Sequence, residues 1–140
     1  MSIEIIRLLL DFGLVVLIWI IQCIVYPSFR FYLIKNLITW HKVYTARFSA
    51  IVIPLMLGQL GIALYQTILQ PDLYTVVSLI LILYIWLATF LQFVPMHATI
   101  SKGVVSEKLL VSLVSKNWVR TVLWTLVFIY SFLNIFYFLE

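Results

Sequence analysis

Charged side chains are scarce in this chain: they make up 10% of its 140 residues, whereas 65% of the residues are hydrophobic. A soluble domain of this length cannot bury so many apolar side chains, so a soluble globular fold is excluded. The one cysteine, Cys23, has no partner for an intramolecular disulfide. Neither a Gly-rich phosphate loop, a nucleophile elbow, a His-Glu-x-x-His run nor a nucleic-acid-binding motif occurs, which excludes kinases, hydrolases and nucleic-acid binders.

Apolar residues are instead concentrated in four long stretches, at 5–26, 43–69, 73–95 and 118–139. Each reaches the roughly 20 residues that a helix needs to cross the hydrocarbon of a bilayer. The sequence therefore predicts an all-α protein: one integral membrane domain over residues 1–140, with four transmembrane helices running up-down-up-down. A short amphipathic helix is expected in the loop at 106–114, lying on the membrane surface.

Positive charge is distributed unevenly between the two ends of this bundle. Of the nine Lys and Arg residues, all but Arg7 lie in or beside the first and third breaks: Arg30, Lys35, Lys42, Arg47, Lys102, Lys108, Lys116 and Arg120. By the positive-inside rule these loops are cytoplasmic, so both termini are expected outside. The location indicated is a bacterial cytoplasmic (inner) membrane, where the basic loops would contact anionic lipids.

Both histidines, His41 and His97, lie at the cytoplasmic ends of their spans. Neighbouring helices pack about 8–10 Å apart, so two inward-facing imidazoles can converge on one ligand. Neutral imidazole is the commonest protein metal ligand. If a metal or haem is bound, His41 and His97 are the residues expected to hold it; the alternative is that no cofactor is present.

Two arginines, Arg47 and Arg120, lie about a turn inside spans two and four. An ionised side chain at this depth either snorkels to the headgroups or faces a site inside the bundle. Arg120 shares a helix face with Asn117 and Trp124, which could donate hydrogen bonds to an anionic or carbonyl-bearing ligand. Asp11 is expected to pair with Arg7 one turn away.

The remaining polar and aromatic residues have two interpretations. In the first, they form a pocket for a flat apolar molecule. In the second, the polar side chains only join the helices through hydrogen bonds. The walls of the pocket are predicted to be Tyr26, Tyr44, Phe48, Trp86, Phe93, Trp118 and Trp124. The catalytic candidates are His41, His97 and Arg120. The candidate ligand-binding residues are Tyr44, Arg47, Gln92, Asn117, Trp118 and Trp124.

Two segments, Gln92-Phe93-Val94-Pro95-Met96-His97 and Lys116-Asn117-Trp118-Val119-Arg120-Thr121, resemble the anthrone oxygenase-like family of small four-helix membrane proteins. The resemblance lies in the Val-Pro step that closes span three, in the Asn/Trp/Arg cluster that opens span four, and in the length and span count. This sequence has His97 where many members of the family are expected to have Asn. The resemblance implies oxidation of a polycyclic phenol by molecular oxygen without a dedicated metal, with Pro95, His97, Asn117, Trp118 and Arg120 as the matching positions.

The function predicted is a membrane protein with a cytoplasmic-leaflet pocket for an apolar aromatic or quinone-like ligand, with oxygenase or oxidoreductase chemistry as the reaction to test. Two alternatives stay open. The first is a haem-binding redox protein with His41 and His97 as ligands. The second is a noncatalytic membrane subunit or assembly factor, as a homo-oligomer or within a larger complex.

Overall fold

The computed structural model describes residues 2–139, which form four long helices and no strands. These are α1 (Ile3–Phe31), α2 (Ile34–Leu69), α3 (Leu73–Ser101) and α4 (Glu107–Leu139). All four are long enough and apolar enough to cross a membrane. The predicted four-helix bundle is confirmed.

The helices extend well beyond the apolar stretches at the end of the bundle that carries most of the Lys and Arg residues, here called the basic end. α2 begins at Ile34 rather than near 43, and α4 begins at Glu107 rather than near 118. The separate surface helix predicted at 106–114 is wrong, because this segment is the first part of α4. A helix needs continuous backbone hydrogen bonds rather than apolar side chains, and no breaker interrupts 107–117.

Local turn chemistry explains the tight connections between the helices. The Asp72 side chain accepts a hydrogen bond from the Thr75 backbone N–H at 2.7 Å, and Oγ1 of Thr75 accepts one from the Asp72 backbone N–H at 3.0 Å, which forms a capping box at the start of α3. At the basic end, Gly103 adopts a φ of 87°, a left-handed conformation that glycine accepts without strain. Ser106 then caps α4 by accepting the Leu109 N–H at 3.1 Å.

Both α1 and α3 contain a π-helical segment near the basic end, at Ile21–Val25 and Thr89–Phe93. Each segment ends two residues before a proline, Pro27 or Pro95. Proline has no backbone N–H and its ring crowds the preceding turn, so the wider turn accommodates it. The extra residue in each π turn rotates the rest of the helix, which alters the side chains directed into the bundle.

Each helix packs against two neighbours, in the order α1, α2, α3 and α4 around the bundle, and α4 closes the ring against α1. Apolar residues fill the interior, including Leu14, Ile18, Ile82, Ile85 and Val127, each no more than 1% exposed. Lipid is as apolar as these side chains, so packing and interhelical hydrogen bonds stabilise the bundle, rather than hydrophobic burial. The polar contacts between helices are therefore informative.

Candidate functional site

A cavity of about 490 Å³ lies between the helices, reaching from the basic end toward the middle of the bundle. All four helices contribute to its walls, and α2 contributes most. It is lined by Ile21, Tyr26, Tyr44, Thr45, Phe48, Ser49, Val52, Ile53, Met56, Leu57, Trp86, Thr89, Phe90, Phe93, Val94, His97 and Arg120. Apolar and aromatic walls with a few polar groups are typical of a small-molecule site.

The cavity opens sideways between α2 and α3. Four of its lining side chains are exposed on the outer surface of the bundle: Ile53 and Leu57 on α2, and Phe90 and Val94 on α3. These residues lie inside the membrane-spanning stretches, where the surroundings are acyl chains. The mouth of the cavity therefore faces lipid rather than water.

Of the described residues that line the cavity, Arg120 is the one with a charged side chain. Its side chain is only 6% exposed, and its Nε is buried without a hydrogen-bond partner among the described residues. In this part of the chain, Asp11 pairs with Arg7 and Glu107 with Arg30, and no carboxylate lies within ion-pair distance of Arg120. The cation thus has no compensating negative charge among the described residues.

Two aromatic rings lie against this guanidinium, and the Tyr26 hydroxyl lies beside it. The guanidinium Cζ lies 4.2 Å from the centroid of the Phe93 ring and 5.2 Å from that of Trp124. A desolvated cation–π contact contributes about 2 kcal/mol. Removing an ion from water costs several kcal/mol, which two such contacts offset only in part. A negatively charged or carbonyl oxygen in the cavity would supply the missing interaction.

A second unsatisfied donor lies deeper in the cavity wall. The indole Nε1 of Trp86 is buried and has no hydrogen-bond partner in the described part of the chain. Its ring stacks on Phe90 with centroids 5.5 Å apart. The residues that line the cavity therefore include a cationic donor and a neutral donor, each with an unpartnered N–H among the described residues.

The two histidines contact each other rather than sharing a ligand. Nε2 of His41 lies 2.7 Å from Nδ1 of His97, and the two rings are nearly parallel with centroids 5.0 Å apart. Nε2 of His97 lies 2.9 Å from the Tyr26 hydroxyl, and Nδ1 of His41 lies 3.0 Å from Oγ of Ser101. Four side chains thus form one hydrogen-bonded row, with Tyr26 and His97 in the cavity wall and His41 fully buried behind them.

This geometry does not suit a metal shared by the two imidazoles. A metal–nitrogen bond takes about 2 Å, so an ion between two nitrogens separates them by roughly 4 Å, well above the distance observed between His41 and His97. Their outer nitrogens are held by Ser101 and Tyr26. No group of three or more His, Cys, Asp or Glu side chains able to hold a metal occurs among residues 2–139. Haem ligation by both histidines does not fit this arrangement.

The structure brings only part of the predicted site together. Three predicted residues, Tyr44, His97 and Arg120, line the cavity, and His41 lies directly behind His97. Two others, Arg47 and Gln92, are exposed on the outside of the bundle. Trp118 is 45% exposed and packs edge-on against Trp19 at 5.8 Å. These three are not in the cavity wall, because their helices direct them toward lipid or headgroups.

Asn117 and Trp124 are buried but connect helices instead of facing the cavity. Asn117 donates to Oε1 of Gln22 at 2.8 Å, and Thr121 donates to the same oxygen at 3.2 Å. These bonds join α4 to α1. Trp124 donates to Oε1 of Gln59 at 3.3 Å and supports Arg120 with its ring. For these residues the helix-joining interpretation is the one that the contacts favour.

A second polar cluster lies in the half of the bundle nearer the termini. The expected Arg7–Asp11 pair is confirmed at 2.9 Å, with both side chains fully buried. The cluster satisfies most of its own donors and acceptors: Gln59 donates to Asp11 at 2.6 Å, Ser131 donates to the other carboxylate oxygen, and Arg7 donates to Gln66 at 3.2 Å. It binds α1, α2 and α4 together.

Ser101 was missed by the sequence reasoning. It is a single serine at the end of an apolar helix, and no motif distinguishes it from other serines. The only signal was its position four residues after His97, which places both on one face of α3. Tyr26 was predicted as a wall residue, and its contact with His97 was not foreseen.

In comparisons with known proteins, no protein-family model, no curated protein and no solved structure matches the chain.

Proposed function

We propose that this membrane protein binds an apolar aromatic or quinone-like molecule in the lateral cavity, with an oxygen of the ligand held by Arg120. The observation that carries the proposal is the buried guanidinium in the cavity wall with no carboxylate near it. A charged group inside a membrane is costly and usually marks a functional site. Hydrogen bonds from a guanidinium to an anionic or polarised oxygen are among the stronger ones in proteins.

The shape and lining of the cavity support a flat aromatic ligand. Tyr26 and Phe93 stack with ring planes only 15° apart, and Tyr44 and Phe48 stack at 27°. A planar ring system packs well against such walls. The mouth between α2 and α3 supports a ligand that dissolves in the bilayer. A quinone-like molecule has both properties and carries oxygens for Arg120 and Trp86.

The membrane orientation is part of the same proposal. With the basic end in the cytoplasm of a bacterial cell, the cavity opens into the inner leaflet of the cytoplasmic membrane. Anionic lipids there would interact with the exposed Lys and Arg residues of this end.

Equilibrium binding of menadione, a small apolar naphthoquinone, tests the proposal on protein purified in mild detergent. Losing one charge-assisted hydrogen bond costs about 1.5–3 kcal/mol, so we expect Arg120→Gln to weaken binding about 10- to 100-fold. Arg47→Gln is the matched control, because it removes an arginine that lies outside the cavity. We expect it to bind like the unmodified protein.

A pair of tryptophan substitutions tests the place of binding. Val52→Trp fills the cavity, whereas Ile51→Trp places the same side chain at a position that is 57% exposed on the outside of α2. We expect only the first variant to abolish menadione binding. Equal binding by all four variants would show partition into the detergent micelle and would overturn the proposed site.

Oxidation of the bound molecule is the chemistry that the anthrone oxygenase resemblance adds. Anthrone and O₂ give anthraquinone and water, with removal of a proton from the substrate and stabilisation of the resulting anion as the steps a protein can assist. Arg120 is suited to stabilising the anion, and His97 is suited to taking the proton through the Tyr26 hydroxyl to which it is hydrogen-bonded. Oxygen uptake with anthrone tests this: we expect a rate above the spontaneous one that His97→Gln and Arg120→Gln remove. Binding without turnover would favour a noncatalytic subunit.

A further inference from the structure

The row of side chains Tyr26, His97, His41 and Ser101 has a property that the proposed pocket does not require. It runs from the cavity wall to the end of α3 through hydrogen bonds of 2.9, 2.7 and 3.0 Å. Each member can both donate and accept a hydrogen bond. A hydroxyl donates through its proton and accepts through its lone pairs, and a neutral imidazole has one donor nitrogen and one acceptor nitrogen. Every link between neighbouring members of the row is a hydrogen bond between side chains.

Two proton arrangements satisfy every bond in this row. In the first, Tyr26 donates to His97, His97 donates from Nδ1 to His41, and His41 donates from Nδ1 to Ser101. In the second, every donor and acceptor is exchanged. The two arrangements differ by one step of each proton along its own hydrogen bond, so neither leaves a buried polar nitrogen unpaired.

We infer that these four residues relay a proton between a hydroxylated ligand in the cavity and water at the basic end, which rests on the proposed binding of an aromatic ligand. The ligand hydroxyl gives its proton to the Tyr26 oxygen as Tyr26 gives its own to Nε2 of His97. Nδ1 of His97 passes its proton to Nε2 of His41, and Nδ1 of His41 passes its proton to Ser101. One proton enters from the cavity, one leaves from the Ser101 hydroxyl, and the ligand oxygen is left as an anion.

The surroundings of the row suit this transfer. Arg120 in the same cavity wall compensates the anion left on the ligand, so charge is balanced where water is excluded. Phe29, fully buried, packs edge-on against His41 at 5.5 Å and shields the imidazoles from solvent. Among the described residues, the titratable and charged groups that face the histidines are Tyr26 from α1, Tyr44 from α2 and Arg120 from α4. With no carboxylate among them, a transferred proton has no competing acceptor.

The exit of the row is accessible from the basic end. Ser101 is half-buried in the last turn of α3, beside the exposed residues Lys102 and Gly103. Its hydroxyl is therefore placed between the fully buried His41 and the aqueous side. Return of a proton along the same row when the ligand leaves resets the first arrangement, so the relay is reversible.

The test uses 2-naphthol, a flat aromatic phenol that becomes a strong acid on excitation and emits at a longer wavelength after losing its proton. Excited beyond tryptophan absorption in the detergent-solubilised protein, bound 2-naphthol should emit as naphtholate. We expect this emission to be lost in Tyr26→Phe and His97→Gln and reduced in His41→Gln and Ser101→Ala. Thr99→Ala is the matched control: its hydroxyl bonds to the Pro95 carbonyl outside the row, and its emission should be unchanged.

Binding is measured separately by the fluorescence polarisation of 2-naphthol, with Val52→Trp as the cavity-blocked control. Absence of cavity-dependent binding would overturn the proposed function together with the relay. Cavity-dependent binding with naphtholate emission equal in all the row variants would mean that water accepts the proton, which overturns the relay alone. On protein with ¹⁵N-labelled histidine, a scalar coupling between Nε2 of His41 and Nδ1 of His97 is expected in NMR, and its absence would also overturn the relay.

Discussion

Two buried arginines, Arg7 and Arg120, lie in opposite halves of this bundle and have opposite surroundings. Arg7 pairs with Asp11 through Nε and donates from Nη1 to Gln66, so its charge is compensated within the protein, although its Nη2 is buried without a hydrogen-bond partner among the described residues. Arg120 stacks on two aromatic rings, faces a cavity and has no carboxylate near it. Both are arginines inside a span, and the sequence predicts an acidic partner, Asp11, for Arg7 alone. The difference separates a charge that holds helices together from a charge available to a ligand.

The largest effect expected from this difference is on stability. Asp11→Asn leaves the Arg7 cation buried without its partner, which we expect to lower the free energy of unfolding by about 3–5 kcal/mol. Arg120→Leu leaves no partner behind and removes an uncompensated cation, so its stability should be unchanged or higher. Thermal unfolding in detergent, followed by tryptophan fluorescence, compares the two.

The double variant Arg7→Met with Asp11→Leu serves as the control for this pair. Replacing both buried ions with apolar residues of similar size is often nearly neutral, so we expect much of the lost stability to return. Equal losses in Asp11→Asn and Arg120→Leu would contradict the distinction between the two arginines.

An intermediate effect is expected at Trp124, which lies between the two regions. Its Nε1 donates to Gln59, whose amide in turn donates to Asp11, and its ring contacts Arg120. Trp124→Phe leaves the Gln59 acceptor unsatisfied, which should lower stability by about 1–3 kcal/mol. Menadione affinity should fall as well, because Arg120 loses part of its support.

Trp118→Phe is the matched substitution for that measurement. Its ring is 45% exposed and has one aromatic neighbour, Trp19. We expect a change below about 0.5 kcal/mol in stability, as for most surface substitutions, and no change in affinity. Equal changes in stability and in menadione affinity for Trp124→Phe and Trp118→Phe would contradict a role for the Trp124 contacts.

The smallest effect concerns two glutamines near the π-helical segments. Gln22 accepts from Asn117 and Thr121 in the interior, whereas Gln92 is exposed. An interhelical hydrogen bond in a membrane contributes about 1 kcal/mol, so Gln22→Leu should lower stability by about that amount. Gln92→Leu should have no effect on stability in the same thermal assay. A larger loss of stability in Gln92→Leu than in Gln22→Leu would contradict the interhelical hydrogen bonds of Gln22.

The fold could be predicted from the sequence because four apolar stretches of membrane length leave few alternatives. The clustering of the two histidines was also within reach, since their positions place them at one level of the bundle. Thr45, Ser49, Val52 and Met56 follow one another on α2 at spacings of three and four residues, and all four line the cavity. Regular helical periodicity was sufficient for these residues.

Periodicity was not sufficient near the two prolines. The π-helical segments add a residue to the turn, so a regular helical wheel gives the wrong face for the residues that follow. Gln92, which lies within the second of these segments, was predicted inside and is exposed. The exposed positions of Arg47 and Trp118 could not be read from the sequence either, because the lipid-facing and core-facing sides of a membrane helix are both apolar. The partner of Asn117 depended on how α1 and α4 dock.

The sideways mouth of the cavity affects how occupancy depends on the surroundings. A molecule that enters between α2 and α3 comes from the acyl chains, so its mole fraction in the bilayer sets occupancy, and its aqueous concentration matters only through partitioning. A weakly held but strongly lipophilic compound can therefore fill the cavity when almost none is free in water. Changes in lipid composition would then alter occupancy without any change in the protein.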